Sequence, residues 1–344
     1  MKEIKTVDAI GHVLCHDITR IIRGVEKGPV FKKGHVISEE DIPVLLDVGK
    51  EYVYVWEKNE DMLHEDEAAR IMYEIAAGDY IHPTEPSEGK IGLIADRDGI
   101  LKIDRERLNA INGMKDLMIA SRHGDFPVKA GDHIAGTRVI PLVIKKEKME
   151  KAREAVRGAK IFNILPFFKM KAGIVTTGSE ILNGRIEDTF TPVLLEKLAE
   201  YDVDIIGQEL TGDDVDKEEA AIRRFVDEGA TMVLCTGGMS VDPDDRTPLA
   251  IRRAAPLVAT YGAPVLPGAM FMLAYRMNER GWEIPVMGLP GCVMYAKRTI
   301  FDLVLPRIVA GEHLTREDFT RLGEGGLCLN CDVCTFPNCG FGKG

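Results

Sequence analysis

The chain has 344 residues, 45% of them hydrophobic and 29% charged, which excludes a wholly disordered protein and predicts two or three domains. Its formal net charge of −11 argues against a general nucleic-acid or membrane-surface binder. A local phosphate site stays compatible with this charge, because backbone N–H groups can hold phosphate without lysines.

The amino-terminal sequence MKEIKTVDAIGHVLCHD lacks the uninterrupted apolar core of a signal peptide. The most apolar late stretch, TIFDLVLPRIVAG, carries Asp302, Pro306 and Arg307, which argues against a membrane span. We therefore expect a cytoplasmic protein whose seven cysteines are reduced thiols or metal ligands.

The first half of the chain predicts small regions of mixed helix and strand. A helix with Ser38 as its N-cap and Gly49 as its stop precedes the strand EYVYVW (51–56). The helix HEDEAARIMYEIAAG and short strands separated by Gly/Asp turns come next. The charged stretch KKEKMEKAREAVRG then predicts a linker helix.

From Lys171 onward, apolar strands alternate with helices. This alternation predicts right-handed crossovers and thus an open, doubly wound α/β domain with a mostly parallel sheet. Thr191 is expected to cap the first helix, and Asp216 with Glu219 forms a capping-box pattern at the second. The predicted segments are 1–57 (small mixed α/β unit), 58–145 (α+β region), 146–168 (linker helix), 169–325 (α/β domain) and 326–344 (four-Cys tail).

Loops rich in glycine and hydroxyl side chains follow the predicted strands of the α/β domain. They are TTGSE (176–180), TGDD (211–214), TGGMSVDPDD (236–245), and LPG at 266–268 and at 289–291. Ligands of such sheets bind outside the carboxyl ends of the strands, where glycine lets the backbone approach an anion closely. The simpler alternative is that each glycine only makes a tight turn. Because several such loops meet at one sheet edge, we expect a phosphate site there.

Six carboxylates project from the same edge: Glu180, Asp213, Asp214, Asp242, Asp244 and Asp245. They would repel an anionic ligand unless a cation lies between them, and hard oxygen ligands suit Mg²⁺. Acidic residues also cap helices and occupy turns, so about half of the six are expected to be functional. Asp244 is expected to cap the helix that follows it.

The segments TTGSEILNGRIEDTFTPVLLEKL, GDD and VLCTGGMSVDPDDRTPLAI resemble the molybdopterin-binding fold. Molybdopterin adenylyltransferases, molybdopterin molybdenumtransferases and the amino-terminal domain of competence-damage-inducible proteins share this fold. The resemblance covers roughly Lys169 to Gly311, about the size of one domain. It implies binding of molybdopterin or its adenylylated form, with the phosphate in the Gly-rich loop and Mg²⁺ or molybdate near the acidic residues.

The resemblance and the loop pattern together give a set of expected site residues. Glu180, Asp214 and Asp245 are the expected catalytic residues. The expected cofactor-binding residues are Thr177, Gly178, Ser179, Asp213, Thr236, Gly237, Gly238, Ser240, Pro267, Gly268, Pro290 and Gly291.

The chain departs from the molybdenumtransferases in three places. It has no counterpart of their Ser-x-Met-Asp-Gly-Tyr loop and no β-barrel domain after Gly311, and GLPGCVMYAKRT replaces their Gly-Asn-Pro turn. The leading interpretation is still an enzyme of molybdenum cofactor biosynthesis that inserts molybdate into adenylylated molybdopterin and releases AMP. The alternatives are a molybdopterin adenylyltransferase, a non-catalytic cofactor carrier or sensor, and a nucleotide-sugar pyrophosphatase.

The tail sequence CLNCDVCTFPNCGFGKG places Cys328, Cys331, Cys334 and Cys339 in the spacing C-x2-C-x2-C-x4-C. Four thiolates can complete a tetrahedral zinc site or an iron–sulfur site. The spacing is similar to the bacterial ferredoxin run, with one extra residue before the last cysteine. We expect Fe–S or Zn binding, and the alternative is a flexible redox-active tail.

The expected partners are small molecules, namely molybdopterin and molybdate. Self-association and contacts with other cofactor-biosynthesis proteins or molybdoenzymes are also expected, whereas nucleic acid and membrane are not.

Overall fold

The computed structural model describes residues 2–22, 26–55 and 61–344. The chain divides into two compact units. The first comprises Met1–Arg97, Leu101–Gly124 and Val128–Ile164, and the second comprises Asp98–Ile100, Asp125–Pro127 and Leu165–Gly344. Residues 56–60 lie outside the described residues. They include the expected boundary between residues 57 and 58 and the last residue of the strand predicted at 51–56. The expected domain limits therefore stay predictions.

Short strands dominate the chain up to Pro166. The strands are β1 (Lys2–Lys5), β2 (Ile18–Ile22), β3 (Glu26–Phe31), β4 (Tyr52–Val55), β5 (Met62–His64), β6 (Ile81–Pro83), β7 (Lys90–Ala95), β8 (Gly99–Ile103), β9 (Leu117–Ser121), β10 (Pro127–Val128), β11 (His133–Val139), β12 (Val143–Lys145) and β13 (Phe162–Pro166). The helices are α1 (Asp41–Asp47), α2 (Glu65–Ala76), α3 (Arg105–Asn112) and α4 (Lys146–Val156).

The first unit has two separate apolar cores. A small core near the amino terminus includes Leu14, Ile18 and Leu45. A larger core forms where α2 and α4 meet the antiparallel sheet β6-β7-β11-β9. Helix α4, predicted as a linker, buries Met149 and Val156 in this larger core.

The main strands and helices of the second unit follow from Lys171 onward. The strands are β14 (Lys171–Thr176), β15 (Asp204–Leu210), β16 (Met232–Thr236), β17 (Leu257–Tyr261), β18 (Met272–Met277) and β19 (Glu283–Leu289). The helices are α5 (Ser179–Leu182), α6 (Phe190–Ala199), α7 (Val215–Asp227), α8 (Thr247–Ala254), α9 (Cys292–Tyr295), α10 (Ile300–Val309) and α11 (Arg316–Thr320).

These strands form one six-stranded sheet in the order β15-β14-β16-β19-β18-β17. The first four strands are parallel, and β18 and β17 join the sheet antiparallel. One core packs α6 and α10 against the sheet, and a second core packs α7 and α8 against it. Helices thus cover both faces, which confirms the predicted doubly wound, mostly parallel α/β domain.

The interior strand β14 is buried along almost its whole length, as expected for a strand covered on both faces. Gly173 lies directly under Phe225 of α7, and a Cβ at this glycine would lie 2.4 Å from the ring atom Cγ. The missing side chain therefore lets the helix approach the strand closely.

The predicted helix caps were wrong in four places. Helix α1 begins at Asp41 after Glu40, so Ser38 does not cap it. Helix α6 begins at Phe190, where the Asp188 carboxylate accepts hydrogen bonds from the backbone N–H groups of Phe190 and Thr191. Helix α7 is capped by Asp214, not by a box of Asp216 and Glu219. Helix α8 begins at Thr247 without a side-chain cap, so Asp244 does not cap it. Among the described residues, no helix has the length and apolar character needed to cross a membrane.

A buried ion pair joins the two helices on one face of the sheet. Lys197 Nζ of α6 lies 2.6 Å from Asp302 Oδ1 of α10, and the Asp302 side chain is only 2% exposed. Arg298 donates to the same oxygen, and the backbone N–H of Thr299 donates to the other carboxylate oxygen at 2.7 Å. Both carboxylate oxygens are therefore satisfied, as a buried charge requires.

We expect Asp302→Ala to lower the free energy of unfolding by about 3–5 kcal/mol, because it leaves the Lys197 ammonium buried without an opposite charge. Urea unfolding followed by circular dichroism measures the change. Glu147→Ala, which removes the exposed pair with Lys151, is the control and should leave the unfolding midpoint unchanged. Equal effects of the two substitutions would contradict a structural role for the buried pair.

Candidate functional site

The loops after β14 and β16 are fastened together at the carboxyl edge of the sheet. The backbone N–H of Thr177 donates to the carbonyl of Thr236 at 2.8 Å, and the Thr177 hydroxyl donates to the same carbonyl at 3.1 Å. The Thr177 hydroxyl also lies 3.3 Å from the hydroxyl of Thr247, the first residue of α8. Both loops and the start of α8 therefore meet at one buried side chain.

Two adjacent glycines make this close approach feasible. Gly237 and Gly238 have φ values of +86° and +56°, which side-chain-bearing residues rarely adopt. A Cβ at Gly237 would lie 2.7 Å from the carbonyl oxygen of Thr177, and a Cβ at Gly238 would lie 2.6 Å from the hydroxyl of Thr247. Glycine is thus required here both for the turn and for the space.

The next residue anchors the loop to the domain. Met239 is 3% exposed, and its sulfur occupies the space that a Cβ at Gly288 of β19 would need. Ser240, which follows directly, is exposed. The loop therefore has a fixed base and an accessible outer part, as expected for a ligand-binding loop.

The loops after β14 and β15 are also joined. The Asp213 carboxylate accepts hydrogen bonds from the backbone N–H of Ser179 at 3.1 Å and from its hydroxyl at 2.6 Å. Glu180, the next residue, is exposed. The structure thus brings together the segments 176–180, 211–214 and 236–240, as the sequence predicts.

Asp214 has a structural task at this edge. Its carboxylate accepts hydrogen bonds from the backbone N–H groups of Asp216 and Lys217, and the Lys217 ammonium lies 3.4 Å away. The hydrogen bond from the Lys217 backbone is the main cause that lowers the pKa of Asp214. Asp214 is therefore an ionised helix cap, and its expected catalytic role stays a proposal.

Asp245 closes a turn within its own loop. Its backbone N–H donates to the carbonyl of Asp242 at 2.9 Å, and its carboxylate lies 3.4 Å from the backbone nitrogen of Asp242. Its side chain is partly exposed. In the described part of the chain, no three His, Cys, Asp or Glu side chains are arranged to hold a metal ion. Mg²⁺ commonly binds one or two protein carboxylates together with substrate phosphates, so Asp245 fits that coordination only with a phosphate ligand present.

Sequence reasoning missed a buried acid beneath the site. Glu218 on α7 is 1% exposed, and its Oε2 atom has no hydrogen-bond partner. Burial raises its pKa to about 7, although a hydrogen bond with Thr247 acts in the opposite direction. The nearby charges of Asp213 and Asp214 add to the increase. The available signal was helical spacing, because Glu218 lies one turn before the buried Ile222.

The two LPG segments lie in different surroundings. Pro290 and Gly291 follow β19 and form the first turn of α9. Pro267 instead accepts a hydrogen bond from the backbone N–H of Ile300, and a Cβ at Gly268 would lie 2.4 Å from the Ile300 side chain. The first LPG segment thus packs against the start of α10.

The four tail cysteines line a single cavity in the second unit, and Pro267 is part of the same lining. All seven cysteines of the chain are free thiols. Cys15 and Cys235 are buried core residues.

Family comparisons agree with the resemblance seen in the sequence. Residues 173–310 match the family model of a probable molybdopterin binding domain, and residues 3–57 match a domain of unknown function. The first match covers less than half of the chain but includes the loops at the carboxyl edge of the sheet. It confirms the resemblance of this domain to the molybdopterin-binding family.

Curated relatives match only a short part of the chain. The CinA-like protein of Mycolicibacterium gilvum (strain PYR-GCK) is 38% identical over 77 residues, which is 22% of this chain and 18% of that protein. The CinA-like protein of Mycobacterium tuberculosis (strain ATCC 25177 / H37Ra) is 34% identical over 77 residues, with the same two shares. The matched region thus spans less than a fifth of these relatives.

Solved structures with a similar chain path include three cofactor-biosynthesis proteins. MoaB from Thermus thermophilus is 24% identical and covers 42% of this chain and 98% of its own, with a TM-score of 0.35. The tungsten cofactor synthesizing protein MoaB from Pyrococcus furiosus is 19% identical, with coverages of 36% and 84% and a TM-score of 0.32. A molybdenum cofactor biosynthesis protein from Pyrococcus furiosus is 16% identical, with coverages of 90% and 63% and a TM-score of 0.26.

We expect the buried Glu218 to make stability fall as the pH rises. Its pKa in the folded protein, about 7, lies above the ordinary value of 4.5, so the folded state keeps a proton that the unfolded chain has lost. The free energy of unfolding therefore falls by at most about 3 kcal/mol as the pH rises from about 4.5 to about 7, and it stays at the lower value above pH 7. Urea unfolding of the wild type and of Glu218→Gln at about pH 5 and pH 8 tests this, because the glutamine cannot ionise.

The matched control is Glu219→Gln, which changes the neighbouring carboxylate that pairs with Arg223 on the surface. This variant should keep the pH dependence of the wild type. A Glu218→Gln variant with the same pH dependence as the wild type would show that Glu218 does not carry the effect.

Proposed function

We propose that this protein binds adenylylated molybdopterin at the carboxyl edge of the parallel sheet and inserts molybdate into it with release of AMP. The observation that carries the proposal is the fastened loop pair, in which Gly237 and Gly238 pack against Thr177. The Asp213 carboxylate holds Ser179 in the first of these loops, and Asp245 follows the glycines in the second. The match of residues 173–310 to a molybdopterin-binding family supports the ligand class.

The phosphate of the pterin binds the loop 236–240. Gly237 and Gly238 leave the backbone of this loop uncovered by side chains, and backbone N–H groups can hold an anion in a protein with an acidic net charge. The exposed hydroxyl of Ser240 adds a side-chain donor at the outer part of the loop. Met239 keeps this surface in place because its side chain is buried in the domain.

The carboxylates then divide into two groups by their contacts. Asp213 and Asp214 position other groups, since one holds Ser179 and the other caps α7. Glu180 and Asp245 have exposed or partly exposed carboxylates that can face a ligand. We assign ligand positioning and charge stabilisation to Glu180 and Asp245. A bound Mg²⁺ would neutralise phosphate charge, with Asp245 as a protein ligand.

Two other functions fit the same ligand. An adenylyltransferase would use ATP and molybdopterin and release pyrophosphate, and a carrier would bind the pterin without turnover. The adenylyltransferase and the carrier would both use the phosphate loop, so pterin binding alone does not distinguish them from a metal-inserting enzyme. The three functions differ in the products that they release.

We expect Gly237→Ala to weaken pterin binding by at least about tenfold, because its Cβ would collide with the carbonyl of Thr177 and displace the loop. Fluorescence titration with molybdopterin measures the affinity. Gly281→Ala is the control, since Gly281 also has a positive φ, of +77°, but open space around its Cβ position. Equal binding by the two variants would contradict a phosphate site at this loop.

We expect the wild type to release AMP from adenylylated molybdopterin when molybdate and Mg²⁺ are supplied. Asp245→Asn should lower the rate by about a hundredfold, because it removes a charge next to the phosphate site. Asp227→Asn is the control, since Asp227 is the last residue of α7 and lies at the amino-terminal edge of the sheet. It should retain the wild-type rate.

The products separate the three functions. Pyrophosphate release from ATP in the presence of molybdopterin would show that the protein is an adenylyltransferase and not a metal-inserting enzyme. Pterin binding without AMP or pyrophosphate release would identify a carrier.

A further inference from the structure

The carboxyl-terminal tail, residues 326–344, is packed onto the second unit. Phe341 is 4% exposed and belongs to the core that contains α10. The backbone N–H of Cys328 donates to the carbonyl of Leu266 at 2.8 Å. The Lys297 ammonium donates to the carbonyls of Cys331 and Asp332 at 3.1 and 2.7 Å. These contacts fix the backbone on both sides of the cysteine run.

The fixed tail lines a cavity of about 240 Å³, and all four tail cysteines belong to its lining. Lys297 and Arg298 also line it, whereas no carboxylate and no histidine does. Cys328 and Cys339 are partly buried against the core, and Cys331 and Cys334 are exposed. Cysteine thiolates are therefore the anionic ligands that this lining offers, and thiolates select zinc, Cu(I) or iron–sulfur clusters.

The two kinds of thiolate site differ in how far apart their sulfurs lie. With zinc–sulfur bonds of about 2.3 Å, the sulfurs of a tetrahedral site lie about 3.8 Å apart. No three cysteines of the tail, which is described throughout, are arranged to hold one ion. In a [4Fe–4S] cluster each thiolate binds a different iron, so the sulfurs lie farther apart and surround an inorganic core. The four tail cysteines line one cavity of about 240 Å³, and a cluster would take up space between them.

Two cations also line the cavity. Four thiolates leave a net negative charge around a zinc ion and around a [4Fe–4S] core alike, and Lys297 and Arg298 of the lining would offset part of it. The spacing of the first three cysteines, C-x2-C-x2-C, equals that of bacterial ferredoxins.

We propose that Cys328, Cys331, Cys334 and Cys339 bind one [4Fe–4S] cluster in the cavity between the tail and the start of α10. Each thiol loses its proton when it binds iron, so assembly releases four protons and changes no oxidation state if ferrous and ferric iron and sulfide are supplied in the ratio of the cluster. This site is separate from the phosphate loop, and its occupancy does not depend on the proposed pterin chemistry.

The test uses the full chain, purified without oxygen and incubated with iron salts, dithiothreitol and sulfide, and then desalted. We expect about four iron and four sulfide ions per chain, together with the broad visible absorption of a cluster that dithionite bleaches. Cys331→Ser and Cys334→Ser should each lose at least about half of the iron, because each removes one ligand. Cys292→Ser, a partly buried cysteine outside the tail, is the control and should keep the wild-type iron content.

Folding of the variants is measured separately. Cys331 and Cys334 are exposed, so the metal-free variants should unfold at the same urea concentration as the metal-free wild type. Binding of one zinc ion per chain with exclusion of iron would overturn the proposal, and so would an iron content that is unchanged in both tail variants. A protein that binds the expected iron but releases no AMP would contradict the proposed function and leave the cluster proposal intact.

Discussion

The candidate site depends on one buried hydroxyl, that of Thr177. It donates to the carbonyl of Thr236 and lies next to the hydroxyl of Thr247, so it joins the ends of two neighbouring parallel strands to the start of a helix. The space that it occupies is the space that side chains at positions 237 and 238 would need. The glycine pair, the path of the loop and the position of α8 therefore follow from one close contact.

Buried polar groups continue this contact into the domain. Thr176 and Thr236 are nearly inaccessible, and the Thr236 hydroxyl lies 3.4 Å from that of Thr176. The Gln208 amide reaches both Thr176 and the Asp188 carboxylate that starts α6. A row of small hydroxyls can lie inside an apolar sheet because each finds a partner. Glu218 differs from these hydroxyls, since its Oε2 atom has no hydrogen-bond partner, and a protonated carboxyl is the form that burial favours there.

Much of the domain was predictable because its signals are local. Alternating strands and helices indicate a parallel sheet, and the positions of Gly178, Gly237 and Gly238 after strands indicate where a ligand edge lies. The helix caps were less predictable, because several acidic residues compete at each helix start and tertiary contacts choose among them. Asp188 takes this position at α6 because Gln208 also holds its carboxylate.

Long-range packing explains what sequence patterns did not reveal. Nothing near Glu218 in the sequence indicates that α8 covers it, and nothing near Cys328 indicates that it pairs with Leu266, which is far away in the chain. The charge of Glu218 also hides its place on an apolar helix face. Such features depend on which elements meet, and single-sequence periodicity does not contain that information.

Arg298 connects the tail to the interior of the α/β domain. Its guanidinium donates to Asp302, the acid that holds α6 against α10, and also stacks over the ring of Phe336 in the tail. Ordering of the tail and stability of the domain are therefore thermodynamically linked. Any ligand that binds only the ordered tail adds its binding free energy to the domain. Chelation or oxidation of the thiols would withdraw the contribution of a ligand that they held, and the domain would then unfold at a lower denaturant concentration.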